Sequence, residues 1–160
     1  MVDRRMLLLT PPFLYVGLNL GLLILVYPTT LNYTKSLSHH LFLPAYFGIC
    51  FSLGELFSGA TISLLTRLIH DFGQIPLMWS TAVIHVITYV LIGISTPQWS
   101  TNTQNDEPAL LVQPNLWMVL LIGFLLGVGD STVNTVRTVI ASLMIPDKRP
   151  QSFAVMRVHQ

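Results

Sequence analysis

Charged residues are scarce in this sequence of 160 residues, which has 8 Lys and Arg and 7 Asp and Glu, or 9% of the chain. An average soluble domain carries about a quarter charged residues, so a soluble globular domain is not expected. The net charge of +1 leaves no basic surface for nucleic acid, which argues against a nucleic-acid-binding protein. The single cysteine excludes a disulfide framework within the chain.

What the sequence has instead is long apolar stretches, and 52% of its residues are hydrophobic. Because a helix needs about 20 apolar residues to cross the hydrocarbon core, the charge-free windows predict membrane-spanning helices. We predict four spans, at about 7–27, 43–66, 75–95 and 116–145. Residues 152–160 are predicted to open a further helix that stops short. The expected fold is an all-α, polytopic transmembrane bundle in a lipid bilayer.

The basic residues predict how the spans are oriented. Lys and Arg concentrate in cytoplasmic loops, and the predicted loops divide five against one. The majority side holds Arg4, Arg5, Arg67, Lys148 and Arg149, and the minority side holds Lys35. We therefore expect the N-terminus of this chain to be cytoplasmic. The sequon at Asn32-Tyr33-Thr34 then lies on the outer side, where Asn32 is a candidate for glycosylation.

Three charged residues fall inside the predicted spans. Glu55 lies in the second span, and Asp130 and Arg137 lie in the fourth. Charges at membrane depth are costly and often mark a solute, ion or proton pathway. Together with Asn134 they are our candidates for such a pathway. The structural alternative is that Arg137 pairs with one of the acids and locks helices together.

Small residues accompany these acids at steps of three or four. In the second span they are Gly48, Ser52 and Gly59, and in the fourth they are Gly123 and Gly127. Such stripes let helix backbones approach closely, so helix packing is the simplest interpretation of the glycines and serines. The two spans run in the same direction across the membrane, which predicts similar depths for Glu55 and Asp130.

No enzyme, metal site or cofactor site is predicted. Gly127-Val-Gly129-Asp130 matches a string of intramembrane aspartyl proteases, but that chemistry needs two aspartates sharing a proton, and no second aspartate lies in a predicted span. His39-His40 near Cys50 lacks the spacing of metal ligands. A phosphate-cradling glycine loop is also missing.

An ordered set of strings resembles the Unc-ninety-three-like branch of the major facilitator superfamily, a group of orphan transporters and ion channel regulatory proteins. The strings are Met6-Leu-Leu-Leu, Phe13-Leu-Tyr-Val-Gly-Leu, Val26-Tyr-Pro-Thr-Thr, Tyr46-Phe-Gly-Ile, Ser52-Leu-Gly-Glu-Leu-Phe-Ser-Gly59, Gly123-Phe-Leu-Leu-Gly-Val-Gly-Asp-Ser131, Asn134-Thr135 and Ser152-Phe-Ala-Val-Met. Their order matches spans seven to ten of a twelve-helix fold and the start of the eleventh. The sequence departs at Gln74, where the family usually has an arginine.

The resemblance implies a partial major-facilitator fold, of four spans and a truncated fifth, whose missing spans would be its first partners. Two functions from different classes follow from it. One is a solute carrier that works by alternating access, with Glu55 and Asp130 binding or relaying a proton or cation. The other is an accessory membrane protein that regulates an ion channel subunit and transports nothing itself. The sequence indicates neither the solute nor the host membrane.

Overall fold

The computed structural model describes residues 4–33, 41–69, 73–96 and 115–144, and the secondary structure in these ranges is entirely helical. The elements are α1 (Arg4–Gly21), a π-helical turn (Leu22–Val26), α2 (Tyr27–Tyr33), α3 (Leu43–Leu68), α4 (Gln74–Ser95) and α5 (Leu116–Met144). Three helices are long and apolar enough to cross a membrane: α3, α4 and the Leu116–Ile140 part of α5. The predicted all-α membrane bundle is therefore confirmed for the described part of the chain. The helix predicted at 152–160 lies outside the described residues.

The first predicted span differs from the other three because its helix is interrupted. α1, the π-helical turn and α2 follow one another directly, and the amide of Tyr27 donates to the carbonyl of Leu22, five residues back. Pro28 has no N–H to give to the helical ladder, so an irregular turn is readily accommodated here. This composite run is not among the three helices that qualify as spans, and its crossing of the membrane stays a prediction.

α5 is the central helix of the described bundle. It packs most extensively on α3, then on α4, and it also contacts α1. An apolar core lies where the π-helical turn, α2, α3 and α5 meet, and the Tyr27 and Phe47 rings lie 5.3 Å apart there. Ile122 and Leu126 of α5 are completely buried in this core. The central place of α5 explains why polar side chains on it can be shielded from lipid.

The seam between α3 and α5 is a parallel contact with a constant register. A Cβ placed on Gly123 would lie 2.9 Å from the Phe47 ring, and one on Gly127 would overlap the carbonyl oxygen of Phe51. Further along, the Ser58 hydroxyl donates to Thr132 Oγ1 at 2.8 Å, since Thr132 gives its own proton to the Val128 carbonyl. These contacts pair residues about 75 positions apart at each step, which places Glu55 beside residues 130 and 131.

Many large apolar side chains point away from the bundle. Leu56, Leu64, Trp79 and Trp117 are each more than half exposed. Such surface is disfavoured in water but is the ordinary outer surface of a helix in lipid. The outward faces of α3, α4 and α5 therefore agree with the membrane environment that the composition predicts.

Candidate functional site

A hydrogen-bonded polar cluster lies inside the bundle, where α1, α4 and α5 meet. Asn19 is its centre and is 3% exposed. Its amide oxygen accepts a 2.7 Å hydrogen bond from the Tyr89 hydroxyl, and its amide nitrogen lies 3.5 Å from Asp130 Oδ1 and 3.4 Å from His85 Nε2. One side chain of α1 therefore links two residues of α4 to the buried acid of α5.

The other oxygen of Asp130 is held within α5. Asn134 donates from Nδ2 to Asp130 Oδ2 at 2.6 Å, and Arg137 donates from Nη2 to Asn134 Oδ1 at 2.7 Å. Asn134 thus connects the acid to the guanidinium through both ends of its amide. Three of the four predicted pathway residues are joined in this way. The geometry is close to the structural alternative above, with a hydrogen-bonding amide between the opposite charges.

His85 is closely packed within the cluster. It is buried, and its Nδ1 lies 3.0 Å from the carbonyl oxygen of Thr81, so Nδ1 carries the proton of that bond. The rings of Tyr15 and Tyr89 approach it at 5.8 and 5.7 Å. A Cβ on Gly129 would lie 2.6 Å from its Cε1. The glycine is therefore what lets the imidazole pack directly on α5.

Glu55 is not part of this cluster, although the register of the α3–α5 seam places it beside residues 130 and 131. It borders a groove of about 460 Å³ between α3 and α5. Five of the six residues that line this groove, which we call the polar groove, have side chains with oxygen atoms: Glu55, Ser131, Asn134, Thr135 and Thr138, the sixth being Val139. The hydroxyls of Thr135 and Thr138 donate to the carbonyls of Ser131 and Asn134, so their oxygens keep lone pairs that can accept further hydrogen bonds.

A second groove lies on the opposite flank of α5, between α1 and α4. Its volume is about 530 Å³, and its lining is mostly apolar, with Phe13, Val16 and Val136 among its residues. Arg137, His85 and Tyr89 supply polar groups to its walls. We call it the apolar groove. Asn134, at the edge of the polar groove, bonds Arg137 at the edge of the apolar one.

The predicted packing glycines divide into two groups. Gly123 and Gly127 lie in the seam, as described, and both are buried. Gly48, Ser52 and Gly59 are exposed, and a Cβ on Gly48 or Gly59 would meet no atom within 4 Å. α3 instead turns Phe47, Phe51, Gly54 and Ser58 toward α5. The Phe47 ring fills the space that Gly123 leaves open, and Gly127 lets the backbone of α3 at Phe51 approach α5 directly. In the described structure, the small-residue stripe of α3 is therefore not its contact face with α5.

Asn19 and Tyr89 were not among the predicted site residues. A lone asparagine within an apolar run is the signal that could have identified Asn19, whereas Tyr89 carries no signal, since tyrosines are common near membrane interfaces. In the part of the chain that the structure describes, no three His, Cys, Asp or Glu side chains gather as metal ligands. The sequon at Asn32 extends past the end of α2 into residues outside that part, so glycosylation stays a prediction.

Comparison with known proteins places the fold among membrane proteins. A family model described as "Ion channel regulatory protein UNC-93" matches residues 1–160, the whole chain. Two similar relatives are the UNC93-like protein MFSD11 of Xenopus tropicalis, 29% identical over 99% of this chain, and that of Xenopus laevis, 28% identical over 99%. The chain spans 36% of the length of each relative. No solved structure matches it.

Proposed function

We propose that this chain, which belongs to the UNC-93 family of ion channel regulatory proteins, contributes part of the solute pathway of a major-facilitator-type carrier. The observation that carries the proposal is the polar groove. A carrier needs polar side chains around a water-accessible space, whereas a purely structural subunit can close such a space by packing. Five of the six residues lining the polar groove bring oxygen atoms to it.

The chemistry of the polar groove favours a cation or a proton as its occupant. Thr135 and Thr138 have committed their hydroxyl protons to the helix backbone, so they offer lone pairs. Glu55 adds a carboxylate on the facing helix. Oxygen acceptors of this kind replace the water around a hard cation or hold a protonated group. Glu55 is therefore the residue that we assign to binding or relaying the ion.

Asp130 has a positioning role in this proposal. Both of its oxygens accept hydrogen bonds from asparagine amides, and the residue is 4% exposed. An acid held in this way fixes α1 and α5 in one arrangement. Alternating access requires helices to exchange two such arrangements, so breaking the Asn19–Asp130 contact would release α1 as the carrier changes conformation.

The experiment is a flux measurement on the full-length protein in liposomes, with radiolabelled sodium and tetraethylammonium as cation probes and an internal pH dye for protons. Glu55→Gln should abolish the flux of the ion that the wild type carries. Glu107→Gln is the matched control, because it makes the same substitution in the predicted outer loop. Equal flux in wild type and Glu55→Gln would remove Glu55 from the mechanism.

A second candidate function is regulation of an ion channel by association, and the description of the matching family model favours it. Here the buried cluster would only rigidify the bundle. Co-expression with a potassium channel tests this candidate, with current and surface level as readouts. A change in current that survives Glu55→Gln, with no flux in liposomes, would support regulation over transport. Unchanged current and surface level would count against it.

A further inference from the structure

We infer that Nε2 of His85 is a proton-binding site, and that a proton bound there turns the Asn19 amide over and breaks the contact between Asn19 and Asp130. The inference deepens the proposed carrier by naming what releases α1 from α5. It rests on the proposed function only for the use of that release in transport, since proton binding and release are measured without any flux.

The hydrogen bonds of His85 leave Nε2 as the ring nitrogen that takes a further proton. Nδ1 lies 3.0 Å from the carbonyl oxygen of Thr81, which offers only lone pairs, so Nδ1 already carries a proton. In the neutral ring Nε2 is therefore an acceptor, and it lies 3.4 Å from the amide nitrogen of Asn19, which can only donate. Although buried, the ring lines the apolar groove, which gives a proton a route to it.

The neutral imidazole matches the orientation of the Asn19 amide. Oδ1 of Asn19 accepts from the Tyr89 hydroxyl at 2.7 Å, and Nδ2 lies 3.4 Å from Nε2 of His85 and 3.5 Å from Oδ1 of Asp130. The amide oxygen thus meets a donor, and the two N–H groups meet two acceptors. Both donor contacts are longer than the usual distance of about 2.9–3.0 Å, so they are weak and readily exchanged.

A proton on Nε2 reverses this match. Two donors, Nε2–H of His85 and Nδ2 of Asn19, would then face each other across 3.4 Å. Rotating the amide by about 180° removes the conflict, and the terminal torsion of asparagine permits both orientations. Oδ1 then accepts a charge-assisted hydrogen bond from the imidazolium, and Nδ2 donates to the Tyr89 hydroxyl, which can also accept. Asp130 loses its bond to α1, because its Oδ1 now faces an amide oxygen.

Three titratable side chains face His85 from the helices around it. Tyr15 of α1 and Tyr89 of α4 approach with their rings at 5.8 and 5.7 Å, and a tyrosine is ordinarily neutral at physiological pH. Asp130 of α5 lies on the other side of the Asn19 amide and interacts electrostatically with the imidazole. This acid supplies the opposite charge that a buried imidazolium requires.

The charges at this depth have room for one proton. The charged residues inside the predicted spans are Glu55, Asp130 and Arg137, two acids and one base, which together carry a charge of −1. Arg137 is joined to Asp130 through Asn134, and Glu55 is the acid left unbalanced beside residues 130 and 131. A proton at His85 brings the sum to zero, and an uncompensated charge is costly within a membrane.

Solid-state NMR of the full-length protein in lipid bilayers tests the proton site. The protein carries ¹⁵N in its histidine rings and ¹³C in its asparagine amides, so the 3.4 Å contact with Asn19 identifies the ring of His85. Free histidine changes its charge between about pH 5 and pH 8. We expect Nδ1 alone to be protonated at pH 8, and both ring nitrogens to be protonated at pH 5.

Hydrogen exchange of the same protein tests the release of α1. The readout is the ratio of exchange in α1 to exchange in α3, because a ratio cancels the pH dependence of the exchange chemistry. We expect it to rise at least about threefold from pH 8 to pH 5, the factor that one average interhelical hydrogen bond in a membrane predicts.

Variants separate the proton from the contact that it breaks. His85→Gln cannot take up a proton and should hold the exchange ratio constant between pH 8 and pH 5. Asn19→Leu removes the contact with Asp130 and should keep the ratio high at both pH values. His70→Gln is the matched control, because it makes the same substitution beyond the end of α3, and it should respond as the wild type does.

Three results would overturn the inference. The first is an unprotonated Nε2 at pH 5, and the second is an exchange ratio that does not change with pH in the wild type. Both are measured on the wild type, so they decide the question even if His85→Gln does not fold. The third is a pH response that survives in His85→Gln, which would assign the proton to Asp130. A pH response of α1 with equal flux in wild type and Glu55→Gln would leave the proton site in place and count only against the proposed carrier.

Discussion

Replacing Gly127 by alanine tests the parallel seam on which the arrangement of the bundle depends. The added methyl group would overlap the carbonyl oxygen of Phe51 and lie 3.1 Å from the amide nitrogen of Glu55. Both of these atoms belong to the backbone of α3, so no side-chain rotation relieves the contact. α3 as a whole must move away, which also stretches the 2.8 Å hydrogen bond between Ser58 and Thr132.

The size of the destabilisation by Gly127→Ala follows from these contacts. Overpacking a close contact costs about 1–3 kcal/mol, and an interhelical hydrogen bond in a membrane is worth roughly 0.6 kcal/mol. Removing a glycine from a helix interior returns about 0.5–1 kcal/mol. Gly127→Ala should therefore lower the free energy of unfolding by about 1–3 kcal/mol. Gly54→Ala should do the same, since its Cβ would overlap the carbonyl oxygen of Phe124.

The measurement is reversible unfolding by a denaturing detergent, followed by circular dichroism. Gly59→Ala is the matched control: it is the same substitution in a helix interior, but at an open position. This control should be neutral or stabilising by up to about 1 kcal/mol. If Gly59→Ala proved as costly as Gly127→Ala, the exposed stripe of α3 would be a packing face in the whole protein. If Gly127→Ala left the stability unchanged, the close contact between α3 and α5 at this position would be refuted.

Two further predictions concern the buried cluster. Asn134→Leu removes the bonds to Asp130 and Arg137 at once. Because hydrogen bonds to charged groups are worth roughly 1.5–3 kcal/mol each, the free energy of unfolding in detergent should fall by at least about 2 kcal/mol. An unchanged free energy of unfolding would mean that water replaces the amide. Tyr89→Phe removes the hydroxyl that donates to Asn19 and should lower the free energy of unfolding by about 0.5–1.5 kcal/mol. Hydrogen exchange should then become faster in α1 than in α3. Equal exchange in both helices would contradict the link between Tyr89 and α1.

The helices of this bundle could be predicted closely from the absence of charge. The span expected at 75–95 is the helix Gln74–Ser95, and the span expected at 116–145 is Leu116–Met144 in the described residues. Long apolar runs suffice for this prediction, even with Asp130 and Arg137 inside the second of these spans, because lipid forces each such segment to satisfy its own backbone. The π-helical turn at Leu22–Val26 could not be predicted in this way, since its residues are as apolar as those of a regular helix.

The partners of each helix face were harder to predict than the helices. Gly123 and Gly127, which glycine spacing suggested, lie in the seam, where Gly123 faces the Phe47 ring and Gly127 faces the backbone of Phe51 and Glu55. The same spacing in α3 suggested Gly48 and Gly59, which are exposed. A small residue permits close approach but does not attract a neighbour. The facing helix decides the contact, since it supplies a ring at Gly123 and its own backbone at Gly127.

The fourth-span stripe shows why a single helical face can serve several neighbours. Successive residues rotate by about 100° around a helix axis, so Asp130, Asn134 and Arg137 cover an arc of roughly 60°. That arc is wide enough for Asn134 to border the polar groove while Arg137 borders the apolar groove. The residues that line only one groove, such as Thr135 and Val136, lie on opposite flanks of α5. An occupant of either groove therefore contacts one end of the Asn134–Arg137 hydrogen bond. A cation beside Glu55 would therefore be coupled to the Arg137 side chain through this one amide, and Asn134→Leu should remove that coupling even where the cation still binds.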